Sequence, residues 1–180
     1  MADINVLVLL GSLRAASVNR QLAELAAETA PEGVSLQLFD RLGELPFYNE
    51  DIDNDAAAEP VKALRAAAAA ADAALIVTPE YNGSIPGVLK NAIDWLSRPY
   101  GAGALSDKPL AVIGTAMGQY GGVWAHDETR KSFGVAGTRV LDSIRVSIAG
   151  PALQGNHPRE TAEVVADVRD AVGKLVAEVA

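Results

Sequence analysis

The sequence predicts an α/β protein in which a five-stranded, doubly wound parallel sheet carries helices on both faces. Three observations favour this class. Five apolar, strand-like segments alternate with five segments whose apolar residues recur at helical spacing. The first strand segment, 4–10, is almost continuously apolar, as expected of a parallel strand covered on both sides. Loops rich in glycine or polar residues follow the first, third and fourth strands, and ligands bind at this edge of such sheets.

The individual elements follow from apolar runs, helical spacing and stop signals. The predicted strands are 4–10, 34–39, 73–77, 110–113 and 138–148. The predicted helices run from the end of the first loop to residue 30, and then over 59–72, 88–96, 123–133 and 159–180. Pro31 and Gly33 stop the first helix. Alanine-rich composition favours the second, and valines at helical spacing favour the last.

Composition limits the classes of protein that fit. The 180 residues suit one domain, 1–180, and the 49% hydrophobic and 21% charged residues are typical of a folded globular chain. A net charge of −8 argues against nucleic acid as a partner. No apolar stretch approaches the length of a membrane span. The chain has no cysteine, so we expect a cytoplasmic protein whose chemistry does not use thiols.

The first loop, 11–19, carries polar side chains that suit a phosphate. Ser12, Ser17 and Asn19 can donate hydrogen bonds, Arg14 adds a cation, and the following helix begins with free N–H groups. Only Gly11 is present of the three glycines in a dinucleotide fingerprint, and no Walker A lysine follows. A monophosphate therefore fits better than a pyrophosphate. The alternative is an ordinary helix start in which Ser17 is the N-cap and Arg14 a surface residue.

The central loop, 79–87, follows the third strand and contains two prolines, two glycines, an asparagine and a serine. This composition predicts a rigid bend that offers backbone N–H groups to a flat or anionic ligand, although an ordinary strand-to-helix turn has the same ingredients. Glu80 could act as a general base or could brace the turn. The third loop, 114–122, is rich in glycine and lets the backbone approach a ligand closely.

The remaining polar residues give little support to hydrolytic or metal chemistry. No serine lies in a nucleophile elbow, and His126 and His157 have no metal-ligand spacing, so we expect surface or helix-packing roles for both. The long connection 40–58 contains Asp51, Asp53 and Asp55 at the spacing of a calcium loop, but the required glycine and glutamate are missing. We interpret these acids as solvated. Amides and hydroxyls with few titrating groups suit a cofactor that supplies its own chemistry.

Three groups of residues carry a resemblance to a known family: Gly11-Ser12-Leu13-Arg14 with Ser17 and Asn19; Pro79-Glu80-Tyr81-Asn82-Gly83-Ser84-Ile85-Pro86-Gly87 with Lys90-Asn91-Ala92-Ile93-Asp94-Trp95; and Gly118 with Gly121-Gly122. Together they resemble the NADPH-dependent FMN reductase family, which is flavodoxin-like and includes quinone, azo-dye and chromate reductases. The resemblance covers essentially the whole chain, and the central run is its most specific part. It implies one FMN-binding domain with strand order 2-1-3-4-5.

The resemblance also implies a cofactor, its ligands and a reaction. The FMN phosphate would be held by Ser12, Arg14, Ser17 and Asn19. The isoalloxazine ring would be lined by Pro79, Glu80, Tyr81, Asn82, Gly83 and Ser84, and closed on the other side by Thr115, Gly118, Gly121 and Gly122. Family members often have serine at the position of Thr115. FMN would be bound non-covalently and would pass hydride through N5 from NADPH or NADH to a quinone, flavin, azo compound or chromate, in a two-step exchange.

Two other classes remain open at this stage. One is a flavodoxin-type electron carrier, although the first loop is not threonine-rich as in flavodoxins. The other is a flavin-binding sensor without turnover. The family resemblance further implies a homodimer or homotetramer, for which Phe47, Tyr48 and Tyr100 are candidate contact residues.

Overall fold

The computed structural model describes residues 3–179, and within them five strands alternate with five α-helices. The strands are β1 (Ile4–Leu10), β2 (Val34–Phe39), β3 (Ala73–Val77), β4 (Pro109–Ala116) and β5 (Arg139–Ala149). The helices are α1 (Val18–Glu28), α2 (Glu59–Ala70), α3 (Gly87–Leu96), α4 (Val123–Val135) and α5 (Ala162–Ala177). The predicted end of the last helix at Ala180 lies outside the described residues.

All five strands are parallel and their order is β2-β1-β3-β4-β5, which confirms the predicted flavodoxin-like topology. Leu10 pairs with Val77, and Val77 pairs with Ile113, so the central strands end side by side. The loops that follow β1, β3 and β4 therefore leave the sheet at one edge.

Alternate residues of the central strands point into two separate cores. On one face, Val6, Val8 and their neighbours pack against α1 and α5. On the other, Leu7, Leu9 and their neighbours pack against α2, α3 and Phe133 of α4. Burial on both faces explains why the sequences of the central strands β1, β3 and β4 are nearly continuous apolar runs that do not alternate with polar residues.

Two elements, β4 and α5, differ by three residues from a predicted end, and α1–α4 and β5 differ by one or two. β4 continues to Ala116 because its last residues pair with β5 as far as Ala149. α5 begins only at Ala162, because Pro158–Glu160 forms a separate 3₁₀ turn that the side chains of His157 and Glu160 cap. Within residues 3–179, no helix combines the length and apolar content needed to cross a membrane.

A buried arginine fills an irregularity between β4 and β5. The register shifts between Leu110 and Val112, and Arg130 of α4 donates from Nη2 to the carbonyl oxygens of Val112 (2.9 Å) and Ile144 (3.2 Å). Arg130 is 4% exposed, and burial lowers its pKa. Its hydrogen bonds satisfy carbonyls that the shifted ladder would otherwise leave without a donor.

Candidate functional site

The loops after β1, β3 and β4 meet at the carboxyl edge of the sheet. The Gly11 N–H donates to the Val77 carbonyl (2.9 Å), and the Thr78 N–H donates to the Ile113 carbonyl (3.1 Å). A methyl group added at Gly11 would collide with the Thr78 side chain, and one added at Gly114 would collide with the Thr78 carbonyl. These glycines let the starts of the three loops pack directly against one another.

A groove of about 400 Å³ lies between the first and central loops. Its lining residues are Gly11, Leu13, Arg14, Tyr81, Pro86, Gly87 and Val88. The structure therefore brings together Arg14 and Tyr81, which the family resemblance places at the phosphate end and the ring end of one ligand. In the part of the chain that the structure describes, the third-loop residues do not line this groove.

The start of α1 offers donors to an anion. Ser17 is the N-cap residue, yet its hydroxyl makes no capping hydrogen bond to the helix, and no acidic residue occupies the first turn. Ser12 and Ser17 are buried, whereas Arg14 is exposed. Free N–H groups and the positive end of the helix dipole favour a negatively charged group here, and Arg14 adds to this preference.

Asn19 has a contact that the sequence did not predict. Its Nδ2 donates to the Thr115 carbonyl (2.9 Å), and its Oδ1 accepts from the Thr115 N–H (2.9 Å). The Thr115 hydroxyl donates to the Ile148 carbonyl (2.6 Å). Asn19 and Thr115 therefore join α1, β4 and β5 behind the site. A direct contact of either residue with the cofactor stays a prediction.

The central loop contains a tight two-residue turn. Tyr81 and Ser84 exchange two backbone hydrogen bonds of 3.1 Å, and Asn82 and Gly83 both have positive φ, of 53° and 73°. This is the pattern of an Asn-Gly type I′ turn, in which both central residues must adopt the left-handed conformation. Pro79 is buried before the turn, and Tyr81 is 49% exposed at the groove.

Glu80 braces the central loop against α4. The Ala125 N–H, in the first turn of α4, donates to Glu80 Oε2 (3.1 Å). The Ser84 hydroxyl forms a second link by donating to Glu128 Oε2 (2.6 Å). The Glu80 carboxylate thus satisfies a free donor at the positive end of a helix. Of the two roles left open by the sequence, this contact favours the brace.

The glycines of the third loop occupy their positions for different local reasons. A Cβ at Gly121 would lie 2.6 Å from the Ser147 carbonyl oxygen, and Gly122 has a φ of 90° as the N-cap of α4. Packing against β5 and backbone conformation therefore explain both glycines without a ligand. Gly118 differs, because a Cβ there would meet no atom within 4 Å. Open space beside Gly118 is compatible with a ligand, as is the same finding at Gly83.

The Lys90–Trp95 part of the family motif holds the long connection 40–58. The Asn91 Oδ1 accepts from the Tyr48 N–H (2.8 Å), and the Asn91 Nδ2 and Trp95 Nε1 both donate to the Pro46 carbonyl (2.9 and 2.8 Å). These bonds leave Phe47, between the two anchored residues, 87% exposed. Sequence reasoning had noted the motif but had given Asn91 and Trp95 no role.

We predicted that the acids of this connection are solvated, but one of them is not. Asp53 accepts two hydrogen bonds from Arg65 (2.7 and 2.9 Å), and its side chain is only 13% exposed. The Arg65 hydrogen bonds lower the pKa of the Asp53 carboxyl. Arg65 also donates to the Trp95 carbonyl, so the pair fastens the connection to α2 and α3. Asp51 and Asp55 are exposed, in agreement with the prediction.

His126 is a further residue whose position the sequence did not reveal. It lies in α4 and is fully buried beneath the loops, with Nε2 2.9 Å from the Thr78 carbonyl oxygen and Nδ1 2.6 Å from Ser147 Oγ. Burial lowers the pKa of the imidazole. The expected helix-packing role holds, but the packing is polar and involves the start of the central loop.

Comparisons with known proteins agree with this geometry. The sequence profile of the family described as NADPH-dependent FMN reductase matches residues 4–152. The chain is 48% identical over 128 residues to a quinone reductase from Pseudomonas putida, covering 71% of this chain and 68% of that protein. It is 40% identical over 147 residues to an NAD(P)H-dependent FMN reductase from Pseudomonas aeruginosa, covering 82% and 78%. A solved structure of FerB, a flavoenzyme NAD(P)H:(acceptor) oxidoreductase from Paracoccus denitrificans, superposes with a TM-score of 0.82 at 33% identity, covering 97% and 98%.

Proposed function

The chain belongs to the NADPH-dependent FMN reductase family and is an NAD(P)H-dependent oxidoreductase, and we propose that it passes hydride through FMN to quinones. The observation that carries this proposal is the groove in which Arg14 of the first loop and Tyr81 of the central loop meet. It lies at the edge of the sheet where the flavodoxin-like topology collects its ligand-binding loops.

The residues at this edge fit FMN. The phosphate end has a set of donors: the buried hydroxyls of Ser12 and Ser17, the exposed Arg14 and the start of α1. No acidic residue lies in the first turn of this helix. At the ring end, the space beside Gly83 and Gly118 is open. A phosphate matches the first set because each member donates or is cationic, and a flat ring matches the second.

Bound FMN supplies the hydride chemistry at its N5 atom, and the chain positions and shields it. Pro79, Glu80, Tyr81, Asn82, Gly83 and Ser84 are the residues that we assign to the ring, with Gly118, Gly121 and Gly122 opposite them. Glu80 acts by holding the loop against α4. Exposed Tyr81 is available to contact an aromatic substrate at the mouth of the groove.

We propose that the two substrates use the groove in turn. No second nucleotide fingerprint accompanies the first loop in the sequence, and a groove of about 400 Å³ has little room for two further rings beside FMN. Initial rates measured over a grid of NADPH and benzoquinone concentrations should give parallel double-reciprocal lines. Intersecting lines would mean that both substrates bind together, and would contradict the exchange.

The test of the function itself is an anaerobic spectrum of the FMN-loaded protein, recorded before and after stoichiometric NADPH and, separately, NADH. Rapid bleaching of the flavin band, reversed by benzoquinone, supports the reductase and gives its nicotinamide preference. A flavin band that does not change on addition of either nucleotide would instead support the electron carrier or the sensor. Failure to bind FMN at all would refute the proposed function.

Several finer assignments are further proposals. We propose that azo compounds, flavins and chromate are accepted as alternative oxidants, which the same spectrum can test one compound at a time. We propose a homodimer or homotetramer, in which exposed Phe47 and Tyr100 are candidate contact residues and the less exposed Tyr48 supports the loop. Light scattering after size-exclusion chromatography measures the number of subunits. The cytoplasmic location stays a prediction.

A further inference from the structure

His126 links three elements directly beneath the candidate site. Its ring projects from α4 and reaches the Thr78 carbonyl at the end of β3 and the Ser147 hydroxyl of β5. A Cβ at Gly114 would lie 2.8 Å from Nε2, and one at Gly122 would lie 3.2 Å from it. Both glycines therefore leave the space that the imidazole occupies. No part of the function proposed above uses this residue.

The partners of the ring assign its hydrogen positions. A backbone carbonyl can only accept, so Nε2 carries the hydrogen that it donates to Thr78. In the neutral ring Nδ1 is then an acceptor, and the Ser147 hydroxyl donates to it. Burial and the cationic Arg130 oppose a second proton on His126, while the carboxylates of Glu80 and Asp127 act in the opposite direction.

The bond to Thr78 lies where the central loop begins. The Thr78 N–H is used by β4, since it donates to the Ile113 carbonyl, and the next residue, Pro79, has no N–H. The Thr78 carbonyl is therefore the backbone group through which α4 can hold the exit of β3. We propose that His126 is a positioning residue that fixes this exit, and thereby the predicted ring-binding segment 79–84. The inference rests on the function proposed above.

Two substitutions separate the two ends of the imidazole. In H126Q the side-chain amide can place a donor near the position of Nε2 and keep the bond to Thr78. In H126N the shorter amide reaches only the position of Nδ1, so the bond to Thr78 is lost while a polar group remains beside Ser147. S147A is a milder variant at a half-buried residue. It removes the hydroxyl that donates to Nδ1 and so favours the neutral ring with its hydrogen on Nε2.

The experiment combines hydrogen exchange of the FMN-free proteins with FMN titrations. H126N should speed exchange of the 80–85 amides relative to β2, and should raise the Kd for FMN about 10-fold, because a buried carbonyl loses its donor. H126Q should remain within about threefold of the wild type, and S147A should fall between the two. Should H126N not fold, the comparison of S147A with the wild type decides.

Three results would overturn the inference. These are unchanged exchange at 80–85, an equal increase throughout the chain, or a local increase with unchanged FMN affinity. The second result would mean that His126 contributes only to general stability. Wild-type protein that binds no FMN would refute the proposed function, and the exchange measurement would still decide whether His126 holds the loop.

Discussion

Replacement of Glu80 distinguishes a brace from a general base. Its carboxylate accepts from the Ala125 N–H in the first turn of α4 and is partly exposed. A hydrogen bond to a charged group contributes about 1.5 kcal/mol at the lower end of its range, and the helix dipole adds about 0.5 kcal/mol. E80A should therefore lower the free energy of unfolding by about 2 kcal/mol. E80Q retains a neutral acceptor and should lose about 1 kcal/mol.

Urea unfolding of the FMN-free protein measures these losses. For a chain of this length, the loss in E80A corresponds to a decrease in Tm of about 4–8 °C. The matched controls are E24A and E24Q, since Glu24 is an exposed carboxylate within α1, away from its first turn. Each control should change the free energy of unfolding by no more than about 0.5 kcal/mol.

Steady-state kinetics then test the alternative role. A brace predicts that kcat of FMN-loaded E80Q stays within about threefold of the wild type, whereas loss of a general base would lower kcat by about 100-fold or more. A stable E80Q enzyme with such a low kcat would refute the brace. Wild-type stability in E80A would refute the energetic reasoning.

Four other changes test separate parts of the site. R14A should raise the Kd for FMN about 10-fold in a fluorescence titration, because it removes the exposed cation of the first loop, while the Tm of the FMN-free protein stays the same. G83V should abolish FMN binding, and normal flavin content would contradict our placement of the ring. The same change should lower the free energy of unfolding by about 2 kcal/mol, because a β-branched residue is strained at a φ of 73°. N19A should lose about 3 kcal/mol in urea unfolding, because both of its buried hydrogen bonds to Thr115 disappear, and a loss below 1 kcal/mol would contradict this. Burial lowers the pKa of His126 below its value in the unfolded chain, so the unfolded state binds the proton first as the pH falls. The free energy of unfolding should therefore have its full value above about pH 6.5 and should decrease below that pH. This decrease should be smaller in H126Q.

The positions of most elements could be predicted from the sequence because the signals are local. Apolar runs bounded by turn residues marked β1, β2 and β3 with the bounds that the structure has. The rigid bend predicted for the central loop contains the Asn82-Gly83 turn, because positive φ is a local property that these two residue types adopt readily. The convergence of the loops after β1, β3 and β4 follows from parallel strand order alone.

The partners of the polar side chains were decided by the tertiary structure. Asn19 and Thr115 are 96 residues apart, and Glu80 and Ala125 are 45 apart. No local pattern shows that the Asn19 amide meets a strand end or that Glu80 caps a helix. Asp53 was expected to lie in solvent but pairs with Arg65, and no local pattern shows this contact either. Periodicity specifies which face of an element is buried, whereas a hydrogen bond requires two groups within about 3 Å, which only the packed chain determines.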